Sequence, residues 1–357
     1  MKILIPTTGF LKAGGMRVLS ELASNFIQLG HQAEFLAPEG GSDPYFPTQA
    51  AVIRYPVPFA KVPLLRYVSK VISMVFWIRR HRSEYDVVMA NASSTAYPVS
   101  MGTAGRGNGY YYIQAYEPDF AKERSWPLSA VESFISKQTY RLNLKRIVNS
   151  ALYLDYEEIK SRHVVEPGID LDVFNPNGRA VPSNTRLTVG CIGRKEKWKG
   201  THLVIEAVRA VRQERNLDIK LRIAFNLPTD YDGSNDDFVE LVQPHGDRNL
   251  AAFYRQADLF CAVGMIQDGA FHYPCMEAMA CGTPVITNYG PGNSGNSYYL
   301  AKVSNEDIKR EILRYLDSKT DAREAMVASG LETVRHYSWP MIAGKMAKIF
   351  AEDERRS

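Results

Sequence analysis

The chain has 357 residues, 45% of them hydrophobic and 23% charged, with a formal net charge of +4. That length is generous for one core and comfortable for two domains, and the composition is that of an ordinary globular protein without repeats or low-complexity segments. The mild basic excess admits an acidic or phosphorylated partner and does not call for nucleic acid.

In chain order, short apolar runs alternate with helical patterns. The opening run KILIP (2–6) is too short, and too soon broken by proline and threonine, for a secretory leader, so it reads as a first strand and a cytoplasmic protein is expected. A helix follows over 14–31, with Val18, Leu19, Leu22, Phe26 and Ile27 on one face. Strands are predicted at 32–37, 85–91, 109–116 and 145–150, the last after a helical segment. The second half repeats the scheme, with strands at 185–194, 218–225, 239–244, 259–264 and 283–288. Its helices include 200–214 and a segment at 304–316 that opens on a Ser-x-x-Asp capping signal. Such alternation implies an α/β protein with two mostly parallel, Rossmann-like sheets.

The stretch 166–185 is rich in Pro, Gly and Asn and has no periodic pattern, which puts a domain boundary near 170–184. The expected division is a first domain over 1–170, a second over 171–338 and a closing helix over 339–357. Two open sheets joined by a linker would leave a cleft, with ligand expected at the carboxyl ends of the strands. The four cysteines, Cys191, Cys261, Cys275 and Cys281, form no CxxC pair and have no histidine at zinc spacing; buried free thiols in a reducing compartment are expected. No stretch reaches transmembrane length.

Three segments have the makings of a site. Glycines 9, 14 and 15 lie between a strand and a helix, where backbone N–H groups can approach a phosphate; a plain strand–helix turn explains them equally well, and the dinucleotide fingerprint is absent. GRKEKWKG (193–200) places Arg194 and Lys199 at the end of a strand. An Arg fork and a Lys point charge there would neutralise a diphosphate, although basic solvated loops are common. HYPCMEAMACGTPV places Glu277 after Pro274 on the expected opening turn of a helix. A carboxylate can accept two hydrogen bonds from a ribose diol, or merely complement the helix dipole.

The order and spacing of these segments resemble the GT-B glycosyltransferases, specifically glycosyltransferase family 4. The resemblance runs over nearly the whole chain: GGMRVLSELASNFIQLGH, EPGIDLDVFNP, GRKEKWKG, NLAAFYRQADLF, EAMACGTPVI and HYSWPMIAGKM each look like a segment of that family. YYIQAYEPDF further resembles bacterial surface-polysaccharide and rhamnan-type transferases with a QxYEP motif. The resemblance implies a retaining, metal-independent transferase with no cofactor. It would move a hexosyl or deoxyhexosyl group from a UDP-, dTDP- or GDP-linked donor to a glycan or lipid-linked acceptor in surface-polysaccharide synthesis.

By position, the resemblance puts Arg194, Lys199 and the backbone at Gly14 and Gly15 on the donor diphosphate. Glu277 falls on the ribose, and the backbone of Ala270, Phe271, His272 and Tyr273 toward diphosphate and sugar. It also implies that the closing helix returns to the first domain.

Two positions depart from the family pattern. The first Glu of its E-x7-E motif is Gly269 here, with Asp268 beside it. Gln114 stands where many members carry His; it can bind a sugar hydroxyl but cannot shuttle a proton near neutral pH. Glu117 is the nearest carboxylate, either an acceptor-side base or a salt-bridged loop residue. Gly269 keeps open two other readings, a non-catalytic nucleotide-sugar-binding subunit and, less favoured by the motifs, a GT-B-fold epimerase.

One further segment, 58–83, contains no acid and carries Lys61, Arg66, Lys70, Arg79, Arg80 and Arg82 among apolar residues. It fits an anionic membrane surface or a lipid-diphosphate acceptor, which would make the protein peripheral on the inner face of the membrane; a core-packed helix with a basic end is the plainer reading.

Overall fold

The computed structural model describes residues 1–59, 62–121, 126–179, 186–233 and 236–355. Lys61 and the linker residues 180–185 therefore lie outside the described residues. The chain divides into two compact units, the first formed by Met1–Gly168 with Trp339–Ser357 and the second by Ile169–Ser338.

Unit 1 contains, in order, β1 (Lys2–Pro6), α1 (Gly14–Gln28), β2 (Gln32–Pro38), β3 (Ala51–Tyr55), α2 (Pro63–His81), β4 (Val87–Ala90) and α3 (Ser93–Gly102). It continues with β5 (Gly109–Ile113), α4 (Glu117–Ala121), α5 (Leu128–Thr139), β6 (Lys145–Val148) and β7 (His163–Val164). The strands form a seven-stranded sheet in the order β3-β2-β1-β4-β5-β6-β7, and every pairing is parallel. The sequence explains this directly: Ile3, Leu4 and Ile5 are all fully buried, because both faces of the sheet are covered.

Right-handed crossovers put α1 on one face and α2, α3, α4 and α5 on the other. On the second face Leu4, Val88 and Tyr111 pack against Met74 and Ile78 of α2 and Val99 of α3. The last helix returns to the first face, where Phe350 meets Phe26 of α1 (centroids 6.1 Å apart) and Tyr110 of β5 (4.7 Å).

Unit 2 runs β8 (Leu187–Ile192), α6 (Thr201–Arg215), β9 (Ile219–Ala224), β10 (Val239–Val242), α7 (Gly246–Arg255) and β11 (Leu259–Ala262). Then come α8 (Tyr273–Ala280), β12 (Val285–Thr287), β13 (Tyr298–Tyr299), α9 (Asn305–Asp317) and α10 (Thr320–Arg335), before α11 (Trp339–Glu354) joins unit 1. The six strands are ordered β10-β9-β8-β11-β12-β13, again all parallel. One face packs α6 and α9 through Val204, Val208, Ile308 and Ile312; the other packs α7 and α8 through Phe253, Cys275 and Met276.

The capping signal at 304 is real, since Ser304 Oγ accepts from Asp307 N at 3.1 Å and donates to its carboxylate at 2.6 Å. All four cysteines are buried free thiols. Among the described residues no helix is long and apolar enough to cross a membrane.

Candidate functional site

Each sheet has one place where the direction of strand addition reverses, between β1 and β4 in unit 1 and between β8 and β11 in unit 2. The carboxyl ends of strands at such a point leave a crevice that no connection fills. In unit 2 the loops leaving β8 and β11 carry Arg194, Lys199, Asp268, Gly269, Ala270, Phe271 and His272.

The loop after β8 is fixed by its glycines. A Cβ on Gly193 would sit 1.8 Å from the Asn226 carbonyl oxygen, so only glycine lets the strand end pass that backbone. Gly200 has φ +76°, a left-handed turn that starts α6. Between them Arg194 N donates to Thr201 Oγ1 at 3.1 Å, anchoring the loop to the first turn of α6. Lys197 points outward to an exposed ion pair with Asp230 (2.7 Å), whereas Lys199 Nζ lies 3.9 Å from the centroid of the Trp198 ring.

The loop after β11 is held by Asn288, at the end of β12. The Asn288 side chain donates to Gly264 O (2.8 Å) and to Asp268 Oδ1 (2.5 Å) and accepts from Gly264 N (3.2 Å). Gly269 N donates to Asn288 O at 2.8 Å. Asp268 is thus tied to Asn288. At Gly269, φ is +80° and a Cβ would meet nothing within 4 Å, so the position next to Asp268 is open space. Of the backbone amides expected to face a diphosphate, Ala270 N donates to Gln267 O and His272 N to Gly290 O, and both are therefore engaged within the loop.

Glu277 requires a correction. It lies in the second turn of α8, not the first, and the first turn carries no acid. A dipole-complementing role is therefore excluded, since that effect fades within a turn. Only 3% of Glu277 is exposed, and its Oε2 accepts from the phenol of Tyr254, on α7, at 2.8 Å. Burial and the Glu277 charge raise the Tyr254 pKa, while the Arg194 charge opposes them. Arg194, Tyr254 and Glu277 are therefore electrostatic neighbours.

His272 joins the same group. Its ring packs on Tyr289 with centroids 4.5 Å apart. Burial, helped by the positive charges of Lys199 and Arg194, pushes its pKa down to about 3. The imidazole is neutral at physiological pH, and its Nδ1 is shielded from solvent without a hydrogen-bond partner among the described residues. The sequence pointed to Arg194, Lys199, His272 and Glu277. It did not point to Tyr254 or Asn288, although Tyr254 lies in NLAAFYRQADLF and Asn288 ends the strand predicted at 283–288.

In unit 1 the glycine loop leads into α1, which begins at Gly14. A Cβ on Gly15 would lie 3.3 Å from Gln114 Oε1, so the glycine lets the amide of Gln114 approach the start of the helix. Glu117 is employed structurally: its Oε1 accepts from Ser93 N, at the first residue of α3, at 2.8 Å, and from Tyr111 OH at 3.2 Å. Arg66, Lys70, Arg79 and Arg80 belong to α2. Burial and the nearby Arg66 charge lower the Lys70 pKa.

The fold is that of the GT-B glycosyltransferases, two α/β units with parallel Rossmann-like sheets. Residues 186–318 match the sequence family described as glycosyl transferases group 1. Among curated proteins, the chain is 25% identical over 200 residues to an MMP alpha-(1->4)-mannosyltransferase of Mycolicibacterium hassiacum, a match covering 53% of this chain and 47% of that protein. It is 31% identical over 150 residues to a D-inositol 3-phosphate glycosyltransferase of Pseudarthrobacter chlorophenolicus, covering 37% of this chain and 34% of the relative. The chain thus spans about half the length, or less, of these curated relatives.

Among solved structures, a glycosyltransferase from Rickettsia africae superposes over 100% of this chain and 99% of its own, with a TM-score of 0.71 and 18% identity. Anabaena HepE in complex with UDP-glucose superposes over 99% of this chain and 100% of its own, with a TM-score of 0.68 and 14% identity.

Proposed function

We propose that this chain is a glycosyltransferase that takes a sugar from a nucleotide-diphospho-sugar and passes it to a glycan or lipid-linked glycan acceptor in surface-polysaccharide synthesis. The observation that carries the reading is the bond of Tyr254 to Glu277 beside Arg194, with Arg194 and Lys199 both near His272, at the switch point of unit 2. Arg194 and Lys199 would hold the diphosphate, whose negative charge grows as the bond to the sugar breaks. A guanidinium and an ammonium supply that neutralisation themselves, so the reading includes independence of a metal ion. Glu277, oriented by Tyr254, would accept from the ribose hydroxyls. Retention of anomeric configuration, a UDP, dTDP or GDP donor, and a peripheral place for α2 on an anionic membrane face belong to the same proposal. In this reading Gln114 would bind a sugar hydroxyl, with Glu117 shaping the loop beside it.

Gly269 favours one second reading, a subunit that binds a nucleotide sugar without transferring it, because no side chain fills the open space beside Asp268. The deciding experiment offers UDP-, GDP- and dTDP-sugars with membrane or glycan extracts in the presence of EDTA. Sugar transfer supports the transferase. Nucleotide binding without transfer to any acceptor supports the binding subunit, and failure to bind nucleotide removes both.

A further inference from the structure

Two helices of unit 1 turn an apolar stripe to solvent. On α2 the inward positions are Met74 and Ile78, 1% and 0% exposed, as a surface helix requires. Its outward stripe is nevertheless apolar: Leu65, Val68, Ile72 and Phe76 follow one another at helical spacing and are 48%, 44%, 49% and 69% exposed. On α5 Ser136 and Thr139 are buried, while Leu128, Val131, Phe134 and Ile135 are 60%, 53%, 64% and 46% exposed. Trp126, just before α5, is 82% exposed. Both helices lie on the same face of the sheet, with α3 beside each of them, and Tyr97 OH of α3 donates to Ile135 O of α5 at 2.9 Å.

We propose that α5 and Trp126 form a second membrane-docking element beside α2, so that unit 1 seats on an anionic bilayer through two helices flanking α3. This extends the peripheral place proposed for α2 and is independent of the donor chemistry. Apolar side chains facing water are costly to leave uncovered, and an indole is suited to the headgroup region. Charge selects the occupant. Across α2, α3 and α5 the acidic side chains amount to Glu132, against Arg66, Lys70, Arg79 and Arg80, while Lys137 is paired with Glu158 at 3.6 Å. The neighbouring α4 adds Glu117, bonded to Ser93 N and Tyr111, and Asp119, bonded to Tyr156. Anionic headgroups complement such a face. A second copy docked by two-fold symmetry would instead set these cations against one another.

The test uses the full chain and vesicles of equimolar phosphatidylglycerol and phosphatidylcholine, with pure phosphatidylcholine as control. Wild-type protein binds the anionic vesicles. Trp126→Ser with Phe134→Ser lowers partitioning by about tenfold or more while leaving melting temperature and nucleotide affinity unchanged, since both side chains are exposed. Arg79→Gln with Arg80→Gln weakens binding and flattens its salt dependence. Partitioning of the α5 variant equal to wild type overturns the proposal, as does a wild type indifferent to anionic vesicles. A wild-type dimer that the α5 variant converts to monomer assigns the face to self-association and also overturns it. Nucleotide affinity, read in parallel, keeps each of these outcomes separate from failure of the transferase reading.

Discussion

The Tyr254 phenol donates to Glu277 Oε2 at 2.8 Å, and both side chains are enclosed in unit 2. The bond joins α7 to α8 and helps to fix the direction of the carboxylate. Tyr254→Phe is expected to cost about 1–3 kcal/mol, the usual penalty for stripping a partner from a buried polar group. Urea denaturation measures that loss, and calorimetry with UDP, GDP and dTDP should show a parallel drop in nucleotide affinity. Full stability in the variant would show that the bond contributes nothing.

The basic loop contains its own control. Arg194→Ala and Lys199→Met should each weaken nucleotide diphosphate binding by about tenfold or more, because a charge-assisted hydrogen bond is lost. Lys197→Ala should change it little, since Lys197 is occupied with Asp230 at the surface, where pairs contribute little. Equal effects at 197 and 199 would remove the assignment of Lys199.

His272 makes a pH prediction. Its folded pKa of about 3 lies below the unfolded value of 6.5, so the fold favours the neutral ring. The associated stability is complete above about pH 6.5 and is lost as the unfolded chain takes up its proton on the way down to pH 3. Relative to His272→Gln, the wild type should lose roughly 1–2 kcal/mol by pH 5. Parallel stability–pH curves for the two proteins would refute it.

Two glycines of the site should respond differently to alanine. At Gly193 a Cβ meets backbone oxygen at 1.8 Å, so Gly193→Ala should be severely destabilising, by about 3 kcal/mol or more. At Gly269 only the left-handed φ is disturbed, and Gly269→Ala should cost about 1 kcal/mol. Gly269→Glu has room for its side chain, and a deoxysugar donor would gain nothing from it. A large gain in turnover with a common hexose donor would argue that the native donor needs a carboxylate there.

Most strands were legible because each is a run of apolar residues buried on both faces, as in β1 and β11. The edge strand β3 and the two-residue β7 and β13 were missed; they are too short or too polar to stand out from loops. In the site, Arg194 and Lys199 were visible because their loop lies between a clear strand and a clear helix. Tyr254 was invisible because its partner is 23 positions away on another helix. Glu277 was placed one turn early because Pro274 occupies the second helical position and not the boundary itself. The outward stripe of α2 could be seen as apolar and basic, but only the packed structure distinguishes the stripe that faces water from the one that faces the sheet.

Because Phe350 of α11 completes the packing of Phe26 and Tyr110, unit 1 is assembled from two pieces of chain separated by all of unit 2. During synthesis the first 168 residues therefore emerge without the helix that covers this face of α1 and β5. Unit 2, continuous in the chain, can fold first, and the amino-terminal half must wait for it with an uncovered aromatic surface. Chaperone dependence of the nascent chain should end only when α11 leaves the ribosome.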